Sequence, residues 1–138
     1  MRKTFVLAIT ALAGQLFAGG FYLQLGNPDA SPEAQRAHAV VIVKATGCHD
    51  PATAQATATA VGKDRRIPLT LTKLSEPGTF ALAQQWPAEG KWVIELTGRN
   101  GEQFTNTLIP AGPNGLDRLH AKFAMKAFTH SDVESMLD

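Results

Sequence analysis

The sequence predicts an all-β fold, an antiparallel β-sandwich or small barrel of seven to eight short strands followed by a short C-terminal helix. Three observations predict it. Apolar and polar residues alternate with a period of two in many short segments. Gly, Pro and Asn turns separate those segments about every ten residues, and no strand–helix–strand alternation interrupts them. The clearest segment is Trp86-Pro87-Ala88-Glu89-Gly90-Lys91-Trp92-Val93-Ile94-Glu95-Leu96. Pro87 and Gly90 bracket a turn. Trp92, Ile94 and Leu96 then share one face while Lys91, Glu95 and Thr97 take the other, which describes a half-buried strand.

The remaining elements follow in chain order. Phe21 to Leu25 makes a first short strand, and Asn27 to Pro32, with two prolines, reads as a loop. His38 to Ala45 is rich in Val and Ile and ends near Gly47, as a buried strand does. From Ala52 to Val61 alanines and threonines alternate. A helix of that composition has no apolar stripe, so the period of two and the β-branched content favour a strand. Ile67, Leu69 and Leu71 alternate around Pro68, which donates no ladder hydrogen bond and so places this strand at an edge or bulge. Thr79 to Ala83 leads into the Trp86 loop. Asn100-Gly101 is a hairpin signal that folds Gln103–Ile109 back onto the Trp92 strand. Leu119, Ala121, Phe123 and Met125 alternate with His120, Lys122 and Lys126, giving a last strand. Ser131-Asp132-Val133-Glu134 has capping-box spacing, with Val133, Met136 and Leu137 on one helix face.

Residues 1–20 have the layout of a signal peptide: Arg2-Lys3, an apolar run from Phe5 to Ala18 broken by Gly14 and Gln15, then Gly19-Gly20. The run is shorter than the ~20 residues of a spanning helix. The expected product is periplasmic or secreted, with no stable membrane insertion after cleavage. The expected organisation is 1–20 signal peptide, 21–37 N-terminal strand and linker, and 38–138 sandwich domain. The formal charge is +1, and losing Arg2 and Lys3 makes it −1. Such a domain has no electrostatic basis for holding nucleic acid. The single cysteine, Cys48, cannot form an internal disulfide; it is buried, free, or paired with another chain.

Between His38 and Phe104 the order of features becomes specific. A strand ends in a Cys/Pro loop, an alternating polar strand follows, then Pro68-Leu69-Thr70-Leu71, Gly78-Thr79-Phe80-Ala81 and Pro87-Ala88-Glu89-Gly90-Lys91-Trp92-Val93-Ile94. This resembles the small exported Ig-like modules of the YtkA and FixH type and the related carboxypeptidase-regulatory and transthyretin-like sandwiches. The resemblance covers about half of the chain and implies an Ig-like β-sandwich, a fold that hosts many roles. Some such relatives are linked to copper or to cytochrome oxidase assembly. Here the FixH-type membrane anchor is replaced by a cleavable run, and Gly19 or Phe21, rather than His, stands near the expected mature N-terminus.

Two site hypotheses come from residue type. Cys48 and His49 offer a thiolate and an imidazole suited to copper or zinc. His120 would join them if the last strand packed beside the His38 strand. Trp86, in a loop, offers a flat apolar face for a ligand. Catalysis is not expected. Cys48-His49-Asp50 are consecutive, whereas triad members converge from separate elements, and no nucleophile elbow, zincin or phosphate-loop motif occurs. The expected function is a non-enzymatic binding or accessory module of the bacterial envelope without a cofactor, its partner an unknown envelope protein or extracellular ligand. The alternative is a periplasmic copper- or zinc-binding protein using Cys48 and His49. Mass spectrometry of the exported protein should find a chain beginning between Gly19 and Asn27; an intact N-terminus held in membrane would overturn the export reading.

Overall fold

The computed structural model describes residues 20–47 and 49–138; the apolar leader and Cys48 lie outside the described residues. The Val/Ile-rich run becomes β2 (Ala39–Thr46), which pairs with β1 (Tyr22–Gly26) on one side and β6 (Thr79–Ala83) on the other, with β5 (Leu71–Lys73) beyond β6. The second sheet is built around β7 (Trp92–Asn100). It is flanked by β8 (Gln103–Gly112) and then β10 (Lys122–Ala124) on one side, and by β3 (Gln55–Val61) and then β4 (Arg66–Leu69) on the other. A two-residue β9 (Gly115–Leu116) pairs with the end of β8. Every ladder is antiparallel. The orders β1-β2-β6-β5 and β8-β7-β3-β4 are the ABED and GFCC′ arrangements of an Ig-like sandwich.

Trp92, Ile94 and Leu96 point between the sheets as their alternation requires, and meet Leu23, Val41, Val43, Phe80 and Leu82 from the facing sheet. Ala58 and Ala60 face the same core. Two glycines permit the closest approaches. A Cβ on Gly98 would lie 2.8 Å from Leu23 Cδ2, and one on Gly62 would lie 2.9 Å from the Trp92 ring. The Trp92 indole N–H is satisfied by the Glu89 carbonyl at 3.1 Å, as a buried indole requires.

β7 departs from a half-buried strand. Val93, on its outer face, is fully buried with Val61 and Leu108. The cover is α2 (His130–Leu137), which lays Val133 and Leu137 on that face, with Met136 and Phe128 beside them. The helix starts earlier than its sequence signal suggests: Thr129 is the N-cap, its hydroxyl accepting from the Asp132 N–H at 3.1 Å while the Asp132 carboxylate accepts from the Thr129 N–H at 2.8 Å.

Other boundaries also move. β1 is an integral strand of the first sheet, so residues 21–37 are part of the sandwich rather than a strand and linker ahead of it. Within them lies α1 (Pro32–Arg36), where linker was expected beyond a loop ending at Pro32; Ser31 caps the Ala34 N–H at 3.1 Å and Pro32 takes the first helical position. β3 begins at Gln55, because Asp50 caps a short 3-10 turn over Pro51–Thr53. In the hairpin, Asn100 pairs with Gln103 and the two-residue loop is Gly101-Glu102, with Gly101 at φ +64°, the pattern of a type II′ turn.

Pro68 does lie on an edge: β4 pairs only with β3. The chain then crosses from the second sheet to the first at Thr70, between β4 and β5. The Gln85 side chain replaces the missing ladder there, accepting from the Thr70 N–H at 2.8 Å and donating to the Thr70 carbonyl at 2.9 Å. This division of one strand, with the very short β9 and β10, gives ten strand segments among the described residues where seven or eight strands were expected.

Two outcomes follow. Trp92→Ala removes a large buried aromatic and should cost ~3–5 kcal/mol in denaturant unfolding; an unchanged midpoint would contradict its packing. The Asp132 carboxyl is held below its ordinary 3.8, chiefly by the Thr129 backbone N–H and then by the Thr129 hydroxyl. A depressed carboxylate pKa stabilises above the unfolded value, and that support is lost as pH falls below 3.8 through the folded value. Hydrogen exchange across α2 should therefore accelerate in that window, and Asp132→Asn should remove this pH dependence; the same acid step in Asp132→Asn would assign it to another group.

Candidate functional site

The strand layout decides which apolar side chains stay in water. Among the described residues, the exposed large ones are Tyr22 at 42 %, Phe123 at 55 %, Met125 at 58 % and Leu119 at 94 %. All four line one groove of about 1100 Å³. Isolated exposed apolar side chains are ordinary; a contiguous set marks an interaction surface.

The groove exists because the two sides of the sandwich are closed differently. On the β4–β5 side the chain itself crosses between the sheets. On the opposite side the first sheet ends at β1 and the second at β10, and the groove lies between those edges. β1, Tyr-Leu-Gln-Leu-Gly, directs Leu23 into the core and carries no charge or proline. Its outer edge therefore lacks the usual devices against pairing.

The other wall differs from the last strand expected over Leu119–Met125. Only Lys122–Ala124 pairs with β8, Phe123 lying opposite Thr107. Ahead of it, residues Arg118–His120 form a 3-10 turn that lifts Leu119 off the strand. Beyond it, the Asn106 amide donates to the Lys126 carbonyl at 2.9 Å, which holds the wall against β8. The stripe Leu119, Phe123, Met125 was thus legible as an apolar face, but it is not a core face. Tyr22 and Arg118 gave no signal of their own in the sequence.

Two charged residues, Asp117 and Arg118, stand on the groove walls. Asp117 Oδ2 is 2.6 Å from His120 Nδ1. The Arg118 guanidinium has no hydrogen-bond or ion-pair partner among the described residues.

The metal candidates are not gathered. His49 is exposed in the connection from β2 to β3, next to Asp50, whose carbonyl accepts from the Asn100 amide at 3.0 Å. His120 follows Asp117, whose N–H donates to Pro110, the residue paired with Val93. Val93 and Asn100 are seven residues apart on β7, about 23 Å at ~3.3 Å per residue, so the two histidines belong to opposite ends of the sandwich. The last strand pairs with β8, in the sheet that does not contain β2, so it does not carry His120 to the His38 strand. His38 itself sits ahead of β2 with φ +56°. Cys48 lies outside the described residues, and among the described ones no three His, Cys, Asp or Glu side chains form a metal-holding group.

Trp86 is 7 % exposed and joins Trp92 in the core cluster. It therefore presents no open ring face to a ligand, contrary to the expectation for a loop tryptophan. A second depression, of about 510 Å³, lies over Trp92, walled by Lys63, Arg65 and Lys91 but also by Asp64, Glu89 and Asp138. Its mixed charges select no ligand class. No helix among the described residues is long and apolar enough to cross a membrane. No family model, curated protein or solved structure matches the chain.

Proposed function

We propose that this chain is a non-enzymatic binding module exported to the bacterial envelope, and that it binds its partner in the groove between β1 and β10. The observation that carries this reading is the confinement to that groove of all four large apolar side chains exposed among the described residues. Their exposure leaves apolar area in water, and a partner that covers it gains that area. The framework beneath is well buried, with Leu23, Ile109 and Leu96 at 1 % exposure or less, so the groove is held open by a rigid core.

An uncharged apolar fluorophore such as Nile red tests the reading. Its emission should rise on addition of the protein and fall back in Phe123→Ser/Met125→Ser. The double variant should unfold within about 1 kcal/mol of wild type, because substitutions of exposed side chains rarely exceed ±0.5 kcal/mol each. Equal emission from wild type and the double variant would place binding elsewhere.

A further inference from the structure

We propose that the occupant of the groove is a free single-chain amphiphile with a carboxylate head, of the fatty-acid type, its chain lying along β1 and its head on Arg118. The proposal rests on reading the groove as the binding site. It adds the chemistry of the ligand, which follows from how polarity is distributed along the groove.

The groove has a charged end and an apolar end. Asp117 and Arg118 stand where Asp117 bonds Pro110 of β8. Met125 stands at the far end, following Ala124, which pairs with Asn106. Pro110 and Asn106 are four residues apart, about 13 Å at ~3.3 Å per residue. Between the two ends the walls are mainly apolar, with Tyr22 and Leu25 on one side and Phe123 on the other, and Gln24 and Thr105 as the uncharged polar members. A hydrocarbon chain fits such a trough, each covered methylene adding to affinity.

Charge complementarity assigns the head. Of the two charged wall residues, Asp117 already has His120 Nδ1 at 2.6 Å. Arg118 keeps its donors unused, and a guanidinium presents a planar fork that a carboxylate matches with two parallel bonds. A purely neutral ligand leaves that fork idle. A second copy of the chain adding antiparallel to β1 answers it no better. The antiparallel arrangement sets the Arg118 end of one copy against the Met125 end of the other, so the guanidinium meets a thioether instead of an acid.

The test is calorimetric titration of the purified protein with laurate, dodecanol and acetate, all below the concentration at which laurate forms micelles. Laurate should bind, dodecanol should bind at least roughly tenfold more weakly, and acetate should not bind. Arg118→Gln should weaken laurate roughly tenfold, the scale of a lost charge-assisted hydrogen bond, and leave dodecanol unchanged. Phe123→Ser should weaken both. Equal affinity for laurate and dodecanol, with no effect of Arg118→Gln, overturns the carboxylate assignment and leaves the groove reading standing. If neither lipid binds while Nile red still does, and an extended apolar peptide displaces it, the occupant is polypeptide and the proposal fails. A dimer in sedimentation equilibrium that Phe123→Ser dissociates, without laurate binding, overturns it in favour of a second copy. Failure of Nile red and laurate alike removes the groove reading itself.

Discussion

Burial of β7 on its inner face, and at Val93 on its outer face as well, is the constraint on which the rest of the structure depends. Inward, Trp92, Ile94 and Leu96 bind the two sheets together. Outward, Val93 with Val61 and Leu108 needs a lid, and α2 supplies it through Val133 and Leu137. A strand so placed must also have partners on both edges, and β3 and β8 provide them along its length. The terminal helix is therefore part of the core rather than an appendage. Its capping box at Thr129 fixes where the lid begins and so which residues reach Val93.

Closure of the sandwich is asymmetric. Between β4 and β5 the backbone leaves one ladder before joining the next, and Gln85 supplies both hydrogen bonds that Thr70 loses there. At the other side no covalent crossing occurs among the described residues, and the two sheets end in a neutral five-residue edge and a three-residue edge. Apolar side chains written for a core face consequently remain in water. One side of the molecule is thus closed by the chain itself, and the other leaves an apolar groove open.

Much of the sandwich was legible because its signals are local. Alternation located β3 and β7, Val and Ile content located β2, Pro68 marked an edge, and Asn100-Gly101 marked the turn between β7 and β8 within a residue. The missed α1 had its signals in place, Ser31 as cap and Pro32 at the first helical position, but five residues are too few for a 3.6-residue period to show. What local pattern cannot report is whether a stripe meets a partner. Leu119, Ala121, Phe123 and Met125 recur with the same period of two as Trp92, Ile94 and Leu96. One set is covered by a facing sheet and the other is not, and only the strand order decides between them. Trp86 fails for the opposite reason. A loop position carries no periodicity, so nothing in the sequence indicated that its ring turns into the core.

The same topology redirects the functional question. Residue type pointed to the β2–β3 loop, with Cys48 and His49, and to a distant imidazole at His120. Register along β7 and β8 places the loop beside Asn100 and the imidazole's turn beside Pro110, at opposite ends. His120 instead engages Asp117 on the groove wall, where it occupies one carboxylate oxygen and leaves the neighbouring Arg118 unpartnered. A residue first considered as a metal ligand thereby pairs with the one acidic residue among the described groove walls. If that pairing matters, His120→Ala should free Asp117 to compete for Arg118 and weaken carboxylate binding while leaving a neutral ligand unaffected. Equal loss for both ligands would mean that His120 supports the shape of the turn rather than its charge.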